Sequence, residues 1–199
     1  QMYSADISLL TSKDRVKTTI EKFIQIEEKG VLKIHLPIKK ERYARLTQIL
    51  EDYETLSLED ILQQLKLTYL IEDARKISLP DSSIDIVHSN NTFEHIYPEI
   101  LVPILKDFRR VVRKGDGVMS HAIDMSDHFA HFDKSINIYN FLQFSDSKWK
   151  WIDNSIQPQN RLRFDDYVNI YKDLNIPITE ESHRPGRLDE LKDIELDKK

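Results

Sequence analysis

Residues 73–96 read DARKISLPDSSIDIVHSNNTFEHI. The stretch runs from an acidic and a small residue, through a basic loop and a Pro-Asp-Ser-Ser turn, into the apolar strand SIDIVHSN. Polar groups then crowd behind that strand: Asn90, Asn91, and the adjacent Glu94 and His95. Work outward from it and strands alternate with helices. LTYLIEDA (67–74) is predicted as a strand before it. A helix over 98–113 follows, with Leu101, Ile104, Leu105, Phe108 and Val112 on its buried side, and then a strand GVMSHAID (117–124). Pro98 suits a first helical position, whereas Pro103 predicts a late helix start or a kink. The alternation implies an α/β domain with a mainly parallel sheet, and ligands of such sheets bind beyond the carboxyl ends of the strands. That rule selects Asp6, Asp73, Ala74, Asn90, Asn91 and Asp124.

Upstream, YSADIS (3–8) reads as a strand ending in Asp6. Helices are predicted over 13–29, closed by Gly30, and over 39–53. A third starts at the Ser57/Asp60 capping-box pattern. Residues 11–66 therefore form a helical block between two strands, far longer than a minimal crossover. Downstream lie a polar and aromatic stretch (125–163), a helix near 165–174, a short strand IPITEES (176–182) and a charged tail that looks helical.

The 199 residues fit one domain. Hydrophobic residues are 40%, enough for a core, and charged residues 32%. No signal peptide or membrane-length apolar run is visible. Cysteine is absent, which excludes disulfides and thiolate metal sites and fits a cytoplasmic setting. The net charge of −5 argues against a nucleic-acid or anionic-membrane partner. Only 4 glycines occur and the chain opens on Gln1; both predict a fragment of a longer protein.

At residues 67–124 the chain resembles class I S-adenosylmethionine (SAM)-dependent methyltransferases of the small-molecule type. The likeness is carried by the quoted stretch and by LKDFRRVVRKGDGVMSHAID (105–124), in which Lys114-Gly115-Asp116-Gly117 replaces the family's Pro-Gly-Gly. It implies a Rossmann-like sheet with a helical insertion, 11–66, after the second strand. The insertion reads either as a lid over the acceptor or as a second-subunit interface in a homodimer. The resemblance implies that Asp6 binds the ribose hydroxyls of S-adenosyl-L-methionine and Asp73 its adenine amino group. Ala74 would present its N–H to the ring, Asn90 and Asn91 would line the methionine end, and His95 the pocket. The family's first strand, its Gly-x-Gly loop and its last strand have no counterpart here, so an incomplete sheet is expected. A further likeness, in DMSDHFAHFDKSINIYNFLQFS and NRLRFDDY, is to a subgroup associated with surface-sugar or nucleotide-sugar pathways.

HAIDMSDHFAHFD holds His121, Asp124, Asp127, His128, His131 and Asp133 within thirteen residues (121–133). A hydroxyl acceptor needs a base near the transferring carbon, and His128 or Asp127 is the candidate. The same spacing also suits a turn or a polar network, and no metal is assigned to it. The aromatic set from Phe129 to Trp151 reads as core or lid before sugar platform. NRLR (160–163) reads as a surface ion pair or as an anchor for a phosphate or carboxylate of the acceptor. Two functions follow: methyl transfer to a small molecule, such as a sugar or nucleotide-sugar hydroxyl, or a methyltransferase-like interaction module that has lost cofactor binding.

Overall fold

The structure is a computed structural model that describes residues 1–31, 39–187, 189–192 and 194–197. The chain divides into two compact units, Gln1–Ile77 and Ser78–Lys199.

The first unit runs β1 (Met2–Asp6), α1 (Lys13–Glu28), α2 (Lys40–Glu51), α3 (Leu58–Gln64) and β2 (Leu67–Ile71). β1 and β2 pair in parallel, from Met2 opposite Leu67 to Asp6 opposite Ile71. A parallel pair needs a crossover, and the three helices supply it. α1 and α3 have local reasons to begin or stop. Ser12 caps α1 by accepting from the Arg15 amide at 3.3 Å. Gly30, at φ +74°, ends it, with its own amide on Glu27 and that of Val31 on Ile26. Ser57 and Asp60 form the expected capping box of α3. The apolar stripes meet in one core of Ile20, Ile49, Tyr53 and Ile61, flanked by Val16, Ile24, Leu46 and Leu50. Positions 32–38 of the predicted helical block lie outside the described residues.

The second unit contains β3 (Ile86–Asn90), a 3-10 turn Phe93–His95, α4 (Pro98–Val111) and β4 (Val118–Ala122). Further 3-10 turns follow at His128–His131 and Asn140–Gln143, then α5 (Asp146–Ile152) and α6 (Phe164–Asp173). β3 and β4 pair in parallel, Ile86 opposite Val118 through Asn90 opposite Ala122. Arg110 ties α4 to the Pro-Asp-Ser-Ser turn. Its guanidinium donates to the Leu79 carbonyl at 2.9 Å and to Asp81 at 2.8 Å, and the amides of Ser82 and Ser83 bond the carbonyls of Arg110 and Val111. Gly117 is required by space: a Cβ there would lie 2.5 Å from the Arg113 carbonyl oxygen. The core gathers Phe93, Leu101, Leu105, Tyr167 and Ile176.

The parallel strands form two separate pairs among the described residues, consistent with the incomplete sheet that was expected. Three expectations change. α4 starts at Pro98 and runs through Pro103, so the late start is not seen; the apolar face of the helix outweighs the missing amide. IPITEES forms no strand, because no strand pairs with it and Pro177 has no amide to give. The described part of the tail makes only turns, Glu190 to Arg187 and Ile194 to Leu191, while residues 188, 193, 198 and 199 of that segment lie outside the described residues.

His121 on β4 meets Ser89 of β3 at 2.7 Å through Nδ1 and stacks on Phe93 with ring centroids 4.3 Å apart. Burial pushes its imidazole down to about 4, while a histidine of an unfolded chain titrates near ~6.5. Above that value neither state is charged. As pH falls below it, the unfolded chain binds the proton and the native one does not, so stability falls, by about 2–3 kcal/mol once pH nears the folded value. Urea midpoints at a series of pH values should show this loss in the wild type and a smaller one in His121→Phe. Parallel curves would mean that His121 is not its source.

Candidate active site

The turn after β3, the loop after β4 and the 3-10 turn His128–His131 converge within the second unit. One ligand-type atom each of Glu94, His95 and His128 lies within 4.8 Å of the others, and the same holds for Asp124, His128 and His131. His128 belongs to both trios. Its Nε2 and that of His131 are each 3.7 Å from one Asp124 oxygen. The rings of His95 and His128 meet edge-on at 4.9 Å.

The segment Gln157–Asn160 holds this cluster. Asn160 donates from its side-chain amide to the carbonyls of Phe93 and Ile96, both at 2.7 Å, and from its backbone to Glu94 at 2.9 Å. The Pro158 carbonyl lies 2.7 Å from Nδ1 of His95. Buried Gln159 accepts the His128 amide at 3.3 Å, and its own carbonyl takes the Trp149 indole N–H at 3.0 Å. The Gln157 amide sits 3.3 Å from Nδ1 of His128.

Electrostatics follow from burial. Glu94 is 2% exposed and neither carboxylate oxygen has a hydrogen-bond partner; burial pushes its carboxyl up. His128 is 8% exposed with Nε2 unpartnered, and burial pushes its imidazole down against the pull of Asp124. Asp124 moves the other way. Burial raises it, but hydrogen bonding from Ser126 and the neighbouring imidazoles bring it below the usual carboxylate range.

The candidates named from sequence separate into groups. His95, Asp124, His128 and His131 come together. Asp127 is fully buried and turned elsewhere: its oxygens accept from the Phe129 amide at 2.9 Å and the Asn140 side chain at 3.0 Å, capping the 3-10 turn. Asp133 bonds Ser135, and His121 lies in the strand layer. Asn90 and Asn91 are exposed at the tip of β3, their side-chain amides without partners among the described residues. Asn91 adopts φ +48° and gives its backbone amide to Ala122. In the first unit, Asp6 stands at the tip of β1 with one oxygen near the Ser8 amide at 3.3 Å. Asp73 is gripped on both oxygens by Arg75, whose hydrogen bonds hold its carboxyl down at about 2. The Ala74 N–H has no partner among the described residues.

The NRLR arginines serve the fold and are not surface pairs. Arg161 is buried on the carbonyls of Phe141 and Phe144 and on Asp146, with Trp149 beneath its guanidinium. Arg163 donates to the Met125 carbonyl. Phe129, Phe141 and Phe144 surround Trp149, as the core reading expects, whereas Phe132 and Trp151 are exposed. Sequence reasoning missed the roles of Glu94 and of Gln157–Asn160. The only local signal was the Glu-His pair; the second has none, because its partners lie elsewhere in the chain, those of Asn160 being carbonyls more than sixty residues away.

Residues 35–119 match the family model of the methyltransferase domain. Over that segment the chain is similar to class I SAM-dependent methyltransferases, proteins that generally use S-adenosyl-L-methionine. No curated protein and no solved structure matches the chain. The matched segment takes in Glu94 and His95 and stops before Asp124, His128 and His131. Among the described residues no helix is long and apolar enough to cross a membrane.

Asn160→Ala leaves two buried carbonyls without donors. It should lower unfolding stability by about 1–3 kcal/mol, read from urea denaturation. An unchanged midpoint would show that water replaces the amide and that the clamp is dispensable.

Proposed function

We propose that this protein transfers the methyl group of S-adenosyl-L-methionine to a hydroxyl of a small molecule, a sugar or nucleotide sugar, with His128 facing that hydroxyl. The observation that carries the reading is the unpartnered Nε2 of His128 in a carboxylate–imidazole pocket. That cluster lies just past β4, in a chain whose preceding segment matches the methyltransferase domain.

The residues of each unit suit the cofactor in part. Asp6 keeps one oxygen without a partner among the described residues, able to accept from ribose hydroxyls. The Ala74 N–H is available to an adenine ring nitrogen. Asn90 and Asn91 offer unengaged amides to the methionine carboxylate and ammonium, and His95 is a further candidate to line that end. Asp73 must exchange its Arg75 partner to take the adenine amino group. Once bound, the cofactor supplies a methyl group activated on a sulfonium. The chain then has to orient the acceptor oxygen and promote loss of its proton. His128 does the latter, and Asp127 fixes the turn that carries it. The Asp124 carboxylate and the exposed His131 imidazole can receive further hydroxyls of a polyol. The sugar follows from this set of acceptors and from the likeness of 124–167 to the sugar-pathway subgroup.

The Asp73–Arg75 pair favours one second reading, an interaction module on the same fold without cofactor binding. Calorimetry of the chain with S-adenosyl-L-methionine and S-adenosylhomocysteine separates the two. Methyl transfer requires binding, weakened ~10-fold or more in Asp6→Ala. Binding of neither ligand would leave the interaction module. Given an acceptor found in a panel of nucleoside diphosphate sugars, His128→Gln should lower the transfer rate by ~10²–10⁴ without changing cofactor affinity. An unaffected rate would remove His128 from the chemistry.

A further inference from the structure

We propose that Glu94, His95 and His128 bind a divalent transition-metal cation, with Asp124 at its margin. Four observations converge on that place. First, one ligand atom from each of the three side chains falls within 4.8 Å of the others, close enough for a single ion to contact all three after small rotations. Second, Glu94 is 98% buried and no side chain satisfies either oxygen; only the backbone amides of Glu94 and Asp124 approach them. An ionised carboxylate in that setting lacks a counter-charge, and a protonated one still leaves a donor and an acceptor unmet. Among the described residues no Lys or Arg pairs with it. Third, His128 is 92% buried with Nε2 bare. Fourth, the Pro158 carbonyl, 2.7 Å from Nδ1 of His95, keeps the proton on that nitrogen and leaves the Nε2 lone pair free. This is the outer-shell arrangement by which proteins fix the tautomer of a metal-binding imidazole. Gln157 does the same for His128 once its amide turns to present oxygen to Nδ1, an exchange that costs no new space.

The donor set selects the ion. Two imidazoles and one carboxylate suit Zn²⁺, with Mn²⁺, Fe²⁺ and Co²⁺ next; Mg²⁺ and Ca²⁺ prefer oxygen alone. Asp124, 3.7 Å from Nε2 of His128, supplies a fourth oxygen or orients a bound water. His131, more than half exposed, leaves one side open to an exchangeable ligand. Resting on the methyl-transfer reading, that ligand is the acceptor hydroxyl, whose proton the cation loosens and the Asp124 carboxylate accepts as the methyl group is transferred. In the metal-bound state His128 holds the cation and Asp124 takes its place as the base.

Equilibrium dialysis of the chelator-stripped chain against Zn²⁺, with Mg²⁺ as comparator, should give one Zn²⁺ per chain and no Mg²⁺ at the same concentration. Co²⁺ in its place should give the visible absorption of a low-symmetry nitrogen–oxygen site. Glu94→Gln and His95→Gln should each weaken Zn²⁺ at least ~100-fold, more than loss of an outer-shell partner. In the metal-free state Glu94→Gln should melt no lower than the wild type, since it removes a bare buried charge; a residue with a purely structural role would lower it. No Zn²⁺ uptake, or uptake unchanged in both variants, overturns the proposal. The methyl-transfer reading is separable: S-adenosylhomocysteine binding without Zn²⁺ uptake sinks the metal alone, and Zn²⁺ uptake without cofactor binding sinks the acceptor role and keeps the site.

Discussion

The side-chain amide of Asn160 donates to two carbonyls at once, those of Phe93 and Ile96, while its backbone amide holds the one between, Glu94. Three residues of a short turn are thereby fixed by one residue far along the chain. Backbone groups in an interior must be paired, and here the pairing determines where Glu94 and His95 point. The adjoining Pro158 and Gln159 reach His95, His128 and Ser126 from the same segment. The turn after β3 and the loop after β4 are thus held by one stretch of four residues. Trp149 and Arg161 support that stretch from behind, the indole on the Gln159 carbonyl and the guanidinium on the carbonyls of Phe141 and Phe144. The aromatic residues there keep the arginine's environment dry, which strengthens each of its hydrogen bonds.

Local chemistry was legible in the sequence. The Ser57–Asp60 box, the Gly30 stop and the first-turn Pro98 each depend on neighbours within a few residues, and each stands where expected. The strands of the quoted stretch were legible too, because their apolar runs are bounded by turn residues. What was not legible depends on distant partners. Nothing near Glu94 announces that it is buried without a bond. Asp127 and Asp124 look alike in the sequence, yet one is consumed by a turn and the other faces two imidazoles. The arginines of NRLR carry the signature of ligand recognition but are spent on carbonyls within the fold. IPITEES has the composition of a strand, and composition does not supply a neighbour to pair with.

The family match ends one turn short of the site's second half. Residues 35–119 bring Glu94 and His95; the polar groups opposite them come from beyond it. This division is physically reasonable for an α/β enzyme, where the sheet and its first loops set the shared chemistry and the following segments shape the acceptor side.

The strands themselves carry a consequence for handling the protein. Met2, Tyr3 and Ile71 in one pair, and Ile86 and Val118 in the other, are exposed apolar residues on two-stranded sheets. Each pair presents free edges among the described residues, and apolar edges recruit further strands from other molecules. The net charge of −5 at neutral pH is the chief force keeping copies apart, and it vanishes near the isoelectric point of about 5.8. Copies therefore repel least as pH nears the isoelectric point and as added salt screens the charge, the conditions in which the apolar edges meet most easily.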